Sequence, residues 1–227
     1  MVLSTSFICG STASKLAVCG INMKIKHFNH LSQQLTGEIF HAYIRLVGIT
    51  GKIELHNLDR IRNNTMLGYW HGDSYCMQMV LKEIAKEKNR IQVIVTADKR
   101  GDSIEHMINH YGAEALRLPD GLKMRPFFSK LKAQSIEEDN ILATALDGPV
   151  GPVHEPKKLL FLLASEAGKE MIYVHFTYKH VLHLKYRWDN YVIPLPFSRI
   201  IAEIEDLGIV SKSDLLDFKE YQQKLIY

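Results

Sequence analysis

The chain has 227 residues, 46% hydrophobic and 23% charged, with a formal net charge of +3. That length accommodates one sizeable α/β domain, and that balance excludes a disordered chain, a collagen-like chain and a disulfide scaffold. Residues 1–70 hold seven Lys/Arg against three Asp/Glu, a bias that suits an anionic membrane surface. Without an Arg/Lys face interleaved with aromatics it does not suit nucleic acid.

In chain order, residues 1–22 lack the basic start and long aliphatic run of a signal peptide. Met23 followed by Lys24-Ile25-Lys26 reads as the start of the folded chain, with 1–22 as a poorly ordered or artefactual N-terminus and 23–227 as a single α/β domain. Cys9, Cys19 and Cys76 are widely spaced with no Cys-x-x-Cys, which points to a reducing compartment rather than a zinc site or disulfides. No run of about 18 apolar residues is present, so a spanning helix is not expected. From His27 to Val47, Phe28, Leu31, Leu35, Ile39, Ala42 and Leu46 recur every three or four residues, flanked by Lys24, Lys26 and Arg45. This amphipathic helix either packs on the domain or lies in the plane of a membrane.

From Gly51 onward, β-branched runs alternate with amphipathic ones, the pattern of a mainly parallel mixed sheet flanked by helices. Strands are expected at KIELH (52–56), MLGYW (66–70), IQVIVTA (91–97), EALRL (114–118), ILATAL (141–146), MIYVHFTY (171–178) and RIIAEIE (199–205). Helices are expected over Asp73 to Lys88, with Met77, Val80, Leu81 and Ile84 facing the core, and over Ser103 to His110, Pro126 to Glu138 and Lys157 to Ala167. A closing helix capped by Ser211 or Ser213 ends the chain.

In such a sheet, chemistry collects just beyond the carboxyl ends of strands. The apolar MLGYW ends directly at His71, which places an imidazole with an ordinary pKa near 6.5 at that rim as a usable base. A second strand runs into Asp147-Gly148-Pro149-Val150-Gly151-Pro152, a stiff exposed turn that would hold a fixed carboxylate and a close-approach glycine beside a ligand. Lys99, Arg100 and Asp102 stand in a loop before a helix, where cations and amides would hold a phosphate. His175, His180 and His183 lie along one strand without interleaved carboxylates or thiols, and do not read as a metal site.

Together YWHG (69–72), VTADKRGDSI (95–104), DGPVGP (147–152) and WDNYVIPLPFSRI (188–200) resemble the bacterial lysophospholipid-acyltransferase-like family. That family was first catalogued as a domain of unknown function and described as lipid A biosynthesis-like. It has a Ser/Arg/Asp-Gly segment and Pro-Asp-Gly-Pro-Arg-Gly-Pro at the second and third stretches. The resemblance spans roughly Ile44 to Asp206. The wider glycerolipid acyltransferase superfamily uses a histidine followed, after four residues, by an acid. Here that place holds Cys76, and Asp73, Asp98, Asp102 and Asp147 are the candidate replacements. The superfamily's Pro-Glu-Gly turn corresponds to Asp147 and Gly148, with Leu146 where proline is usual.

The resemblance implies an acyltransferase of phospholipid biosynthesis, cytoplasmic and peripheral to the inner face of the cell membrane. It would move an acyl chain from an acyl thioester, on coenzyme A or acyl carrier protein as co-substrate, to a hydroxyl of a lysophospholipid or related lipid. His71 would be the general base, with Asp73 or Asp147 assisting, and Lys99, Arg100, Asp102, Arg125 and Gly148 would contact substrate. No metal or bound cofactor is expected there. Alternatives are a thioesterase or lipid hydrolase, in which His71 activates water, and a non-catalytic lipid-binding protein that has lost its acid. The absence of a Gly-x-Ser-x-Gly elbow stands against a serine hydrolase.

Overall fold

The computed structural model describes residues 35–86, 90–97, 99–118, 124–136 and 139–225. The expectations for residues 1–22, Phe28, Leu31 and Asp98, and for the side chains of Lys99, Arg100 and Arg125, lie outside the described residues. Helix α1 covers residues 35–50. It is followed by β1 (Lys52–His56), β2 (Thr65–Tyr69), α2 (Ser74–Lys86), β3 (Arg90–Thr96), α3 (Lys99–Asn109), β4 (Glu114–Leu118), α4 (Met124–Ile136) and β5 (Asn140–Ala145). Then come α5 (Lys158–Ala167), β6 (Glu170–Leu184), β7 (Tyr191–Ile209), α6 (Lys212–Leu216) and α7 (Phe218–Leu225).

The strands form one sheet in the order β1-β7-β6-β2-β5-β3-β4. β6, β2, β5, β3 and β4 are mutually parallel, β7 is antiparallel to β6, and β1 is parallel to β7, which makes the mainly parallel mixed sheet expected from the sequence. The step from β2 through α2 to β3 runs toward the β4 edge, and the step from β5 through α5 to β6 runs toward β1. Crossovers of one hand running in opposite directions put their helices on opposite faces. Accordingly, Ile44, Val47, Met77, Val80, Leu81, Ile84 and Met107 pack in one core, whereas Leu131, Leu160, Phe161 and Leu215 pack in the other. The reversal falls between β2 and β5, which opens a crevice at their carboxyl ends. With helices on both faces, β2 is buried along its whole length, which is why MLGYW reads as a continuous apolar run.

The strands at 52–56 and 114–118 match the sequence expectation, and so does the buried face of α2. β6 and β7 instead form a hairpin much longer than their apolar runs, crossing a bulge between Lys179 and Val181. α3 begins at Lys99 rather than Ser103. The closing helix is two helices. Ser211 caps α6, its Oγ accepting from the Asp214 N–H at 3.1 Å, and the chain breaks at Asp217 (φ −100°, ψ 46°). The break lets Phe218 and Tyr221 of α7 turn onto the Phe161 ring, at 5.4 and 5.7 Å between centroids. In α1 the buried residues are Gly37, Ile44 and Val47, while Leu35, Ile39, Leu46 and Ile49 are exposed. The described part of the apolar stripe, Leu35, Ile39, Ala42 and Leu46, therefore faces away from the domain.

Candidate active site

β2 ends at Tyr69, and a short 3-10 turn, His71–Asp73, leads straight into α2. The turn is pinned from three sides. Trp70 is buried edge-on against Tyr173, with ring centroids 5.8 Å apart. Gly72 lies against the Asp189 carbonyl so closely that a Cβ would stand 2.4 Å from that oxygen, so no larger residue fits. From the β5 side, the Leu146 N–H donates to the Tyr69 carbonyl at 2.8 Å, and the Lys157 N–H donates to the Leu146 carbonyl at 2.7 Å. This closes the base of the turn that carries Asp147.

Asp147 is fully buried. Its Oδ1 accepts from the His71 backbone N–H at 3.0 Å and its Oδ2 from the His154 N–H at 3.4 Å. Burial pushes its pKa above the ordinary carboxylate value, against the opposing pull of these N–H groups and of His71. Asp147 thus fixes the backbone of the histidine turn. A Cβ on Gly151 would lie 2.6 Å from the Trp188 ring, so the glycine-proline turn slides beneath that indole. Trp188 in turn meets His71 edge to face at 5.4 Å.

The carboxylate that faces the imidazole ring is Asp189, from the turn between β6 and β7. Its Oδ2 lies 3.7 Å from His71 Nδ1. Asp189 is itself buried and gripped by Arg187, whose Nε donates to Oδ1 at 2.9 Å and whose Nη2 donates to Oδ2 at 2.7 Å. Burial pushes the Asp189 carboxyl up, but the Arg187 guanidinium outweighs it and holds the pKa below the ordinary value. At 3.7 Å the contact is longer than a hydrogen bond, so the ionised carboxylate acts on the ring through its charge, favouring the protonated imidazole.

Asp73 has another partner: the Tyr178 hydroxyl donates to its Oδ1 at 2.5 Å. Burial pushes its pKa up to about 6, with the Tyr178 hydrogen bond and the nearby His175 opposing. Cys76, at the place of the superfamily's acid, is fully buried. Burial pushes its thiol well above the ordinary range, so it stays neutral and is neither an acid partner nor a nucleophile.

His71, Asp73, Asp147 and Gly148 are thus brought together, as the sequence analysis expected. Asp102 is not with them. It accepts from Arg117 Nη2 at 2.7 Å and, with Glu105, ties α3 to β4. Lys99 and Arg100 open α3 and Arg125 lies in the first turn of α4.

A cavity of about 680 Å³ opens at the carboxyl ends of β2, β5, β3 and β4, with His71, Gly148 and Lys157 in its wall. Tyr75, Ile94, Ile104, Met107, Leu118 and Leu160 give it a largely apolar lining. Gln78, also in the lining, is buried, and its Oε1 has no hydrogen-bond partner among the described residues. Sequence reasoning missed Asp189, Arg187, Lys157 and Gln78. The available signal for the first two was Arg187-x-Asp189, an opposite-charge pair at the start of WDNYVIPLPFSRI, with Arg187 directly before that segment.

No protein-family model matches the chain, and no curated protein matches it.

Proposed function

We propose that the protein is an acyltransferase that moves an acyl chain from an acyl thioester, on coenzyme A or acyl carrier protein, to a hydroxyl of a lysophospholipid or related lipid. The observation that carries this reading is His71 at the strand-order reversal, with Asp189 at its Nδ1 and a large apolar cavity before it. A cavity of this size falls within the roughly 300–1,000 Å³ of small-molecule sites, and its lining suits a hydrocarbon chain.

In the reaction, His71 takes the proton of the acceptor hydroxyl as that oxygen attacks the thioester carbonyl. The oxygen–carbon bond forms, the carbon–sulfur bond breaks, and the proton passes from the imidazolium to the leaving thiolate. Asp189 stabilises the transient charge of the ring; Arg187 keeps Asp189 ionised. Lys157, in the cavity wall and 3.2 Å from Glu155, is a cation that could turn to an anionic headgroup. Buried, neutral Cys76 favours direct transfer over an acyl-cysteine intermediate. The Asp189 carboxylate speaks against the reading of a lost acid, because it offers one from a different segment.

Among the described residues no helix is long and apolar enough to cross a membrane. Peripheral docking on a membrane is supported by the exposed Leu35, Ile39, Leu46 and Ile49 of α1. Exposed Phe197 extends that surface, its N–H donating to Thr50 Oγ1 at 3.4 Å. Thr36 and Phe40 of the same helix line the cavity, so a bilayer on this face would stand beside its mouth.

The test is purified protein with radiolabelled acyl thioester, with and without lysophospholipid on anionic vesicles. Acylated lipid that forms only with acceptor present is the expected product. Acceptor-independent free fatty acid would assign a thioesterase instead, and binding without turnover a lipid-binding protein.

A further inference from the structure

We propose that Glu38, His106 and His110 bind one divalent transition-metal ion of the zinc class, tying α1 to α3. The two histidines stand at the end of α3, His106 in its last turn and His110 directly after it, and Glu38 faces them from α1. Both imidazoles converge on one oxygen: Glu38 Oε1 is 3.0 Å from His106 Nε2 and 3.2 Å from His110 Nε2. All three donor atoms lie within 4.8 Å of one another. Tetrahedral zinc, with bonds of about 2.0–2.2 Å to imidazole nitrogen and carboxylate oxygen, separates its donors by about 3.4 Å. Small side-chain shifts therefore suffice to seat an ion. Two imidazoles and a carboxylate suit zinc and its neighbours cobalt, nickel and copper, and leave a fourth position for water.

Two further features point to a built site. A Cβ on Gly37 would lie 2.8 Å from His106 Cδ2, so glycine is what allows the α1 backbone to press against that ring. His41, nearly one turn beyond Glu38, stacks on His110 with centroids 4.3 Å apart and planes at 28°. The His41 Nδ1 is buried with no hydrogen-bond partner among the described residues, a polar group that a metal-bound water would satisfy.

The consequence reaches the cavity. Thr36 and Phe40 of α1 and Ser103, Ile104 and Met107 of α3 line it, so the ion would set the spacing of that wall. The proposal does not rest on the acyl-transfer reading.

The test uses the full chain, stripped by chelator and titrated with Co²⁺ in equilibrium dialysis, with the visible spectrum recorded. One Co²⁺ per chain, with the absorption of a tetrahedral nitrogen/oxygen site and displacement by Zn²⁺, is expected. Glu38→Gln and, separately, His110→Asn should weaken Co²⁺ binding beyond the roughly 10–100-fold that loss of an outer hydrogen bond costs. Circular dichroism identifies which variants fold, and His180→Asn, in the β6 bulge, should bind as the parent does. For the parent chain alone, Zn²⁺ should raise the melting temperature. A parent chain that takes up no Co²⁺, or folded Glu38→Gln and His110→Asn chains that bind it as tightly as the parent, would overturn the site.

Discussion

The two ends of the parallel sheet both bury polar groups, and they use them differently. At the amino end, buried Lys169 donates to the Asn140 carbonyl at 2.9 Å, and Asn140 Nδ2 donates to Gln92 Oε1 at 2.8 Å. Gln92 Nε2 continues to Glu114 Oε2 at 2.8 Å. These groups bind one another across β5, β3 and β4 and hold the strand ends in register. At the carboxyl end, Asp73, Asp147 and Asp189 gather around the His71 turn at the rim of a cavity, and their environments drive them apart. Asp73 and Asp147 are pushed up by burial, while Asp189 is held down by Arg187. Buried polarity alone does not mark a reaction centre. Carboxylates of divergent acidity beside a base and an open cavity make the carboxyl end the candidate site.

The comparison breaks if a change at the amino end costs activity rather than stability. Lys169→Ala removes a charge-assisted hydrogen bond and leaves a cavity, so it should cost roughly 3 kcal/mol in denaturant unfolding. Turnover per folded molecule should stay unchanged; a selective loss of turnover would mean that the two ends are coupled.

At the carboxyl end the pattern should invert. Asp189→Asn keeps the shape but loses the ionised partner of His71. It should lower kcat by about 10²-fold with little change in KM, and it should also lower the melting temperature, because it breaks the buried Arg187 ion pair. A raised KM with unchanged kcat would make Asp189 a substrate-binding residue instead.

A smaller effect sharpens the contrast through pH. The folded Asp73 carboxyl titrates at about 6 against an ordinary 3.8, so the native state holds this proton more tightly than the unfolded chain does. Its stabilising contribution is full below about pH 4 and is lost as pH rises through about 6. Asp73→Asn should therefore match the parent at pH 4 and exceed it by about 2 kcal/mol at pH 8, measured by urea midpoints. A variant weaker than the parent at pH 8 would show that the Tyr178 bond to ionised Asp73 outweighs the cost of its burial.

Much of the fold was legible because its signals are local. β1 and β4 are short runs bounded by turn-forming residues, Gly51 and Asn57 for the first and Gly112 and Pro119 for the second, and α2 shows its core face in Met77, Val80, Leu81 and Ile84. His71 and Asp147 were legible because apolar strands end almost at them. Asp189 was not, because only the β6–β7 hairpin brings it to residue 71, and both strands run well past their apolar centres; Pro194 and Pro196 interrupt the second. The start of α3 was hidden because Lys99-Arg100-Gly101-Asp102 reads as a turn. In the fold, a Cβ on Gly101 would fall 1.9 Å from the Thr96 carbonyl, a closeness only tertiary packing requires. The N-terminal stripe was visible but its direction was not, since periodicity marks a face without saying what meets it.

The central claim, that His71 is the base of an acyl transfer, is tested most directly by the acceptor-dependent rate of His71→Ala against the parent chain, with melting temperature recorded for both. The His71 side chain is 21% exposed and meets Trp188 edge to face, so the variant should fold with a small drop in melting temperature while its turnover falls by about 10²–10⁴-fold. A folded His71→Ala chain that acylates lysophospholipid at the parental rate would contradict the assignment.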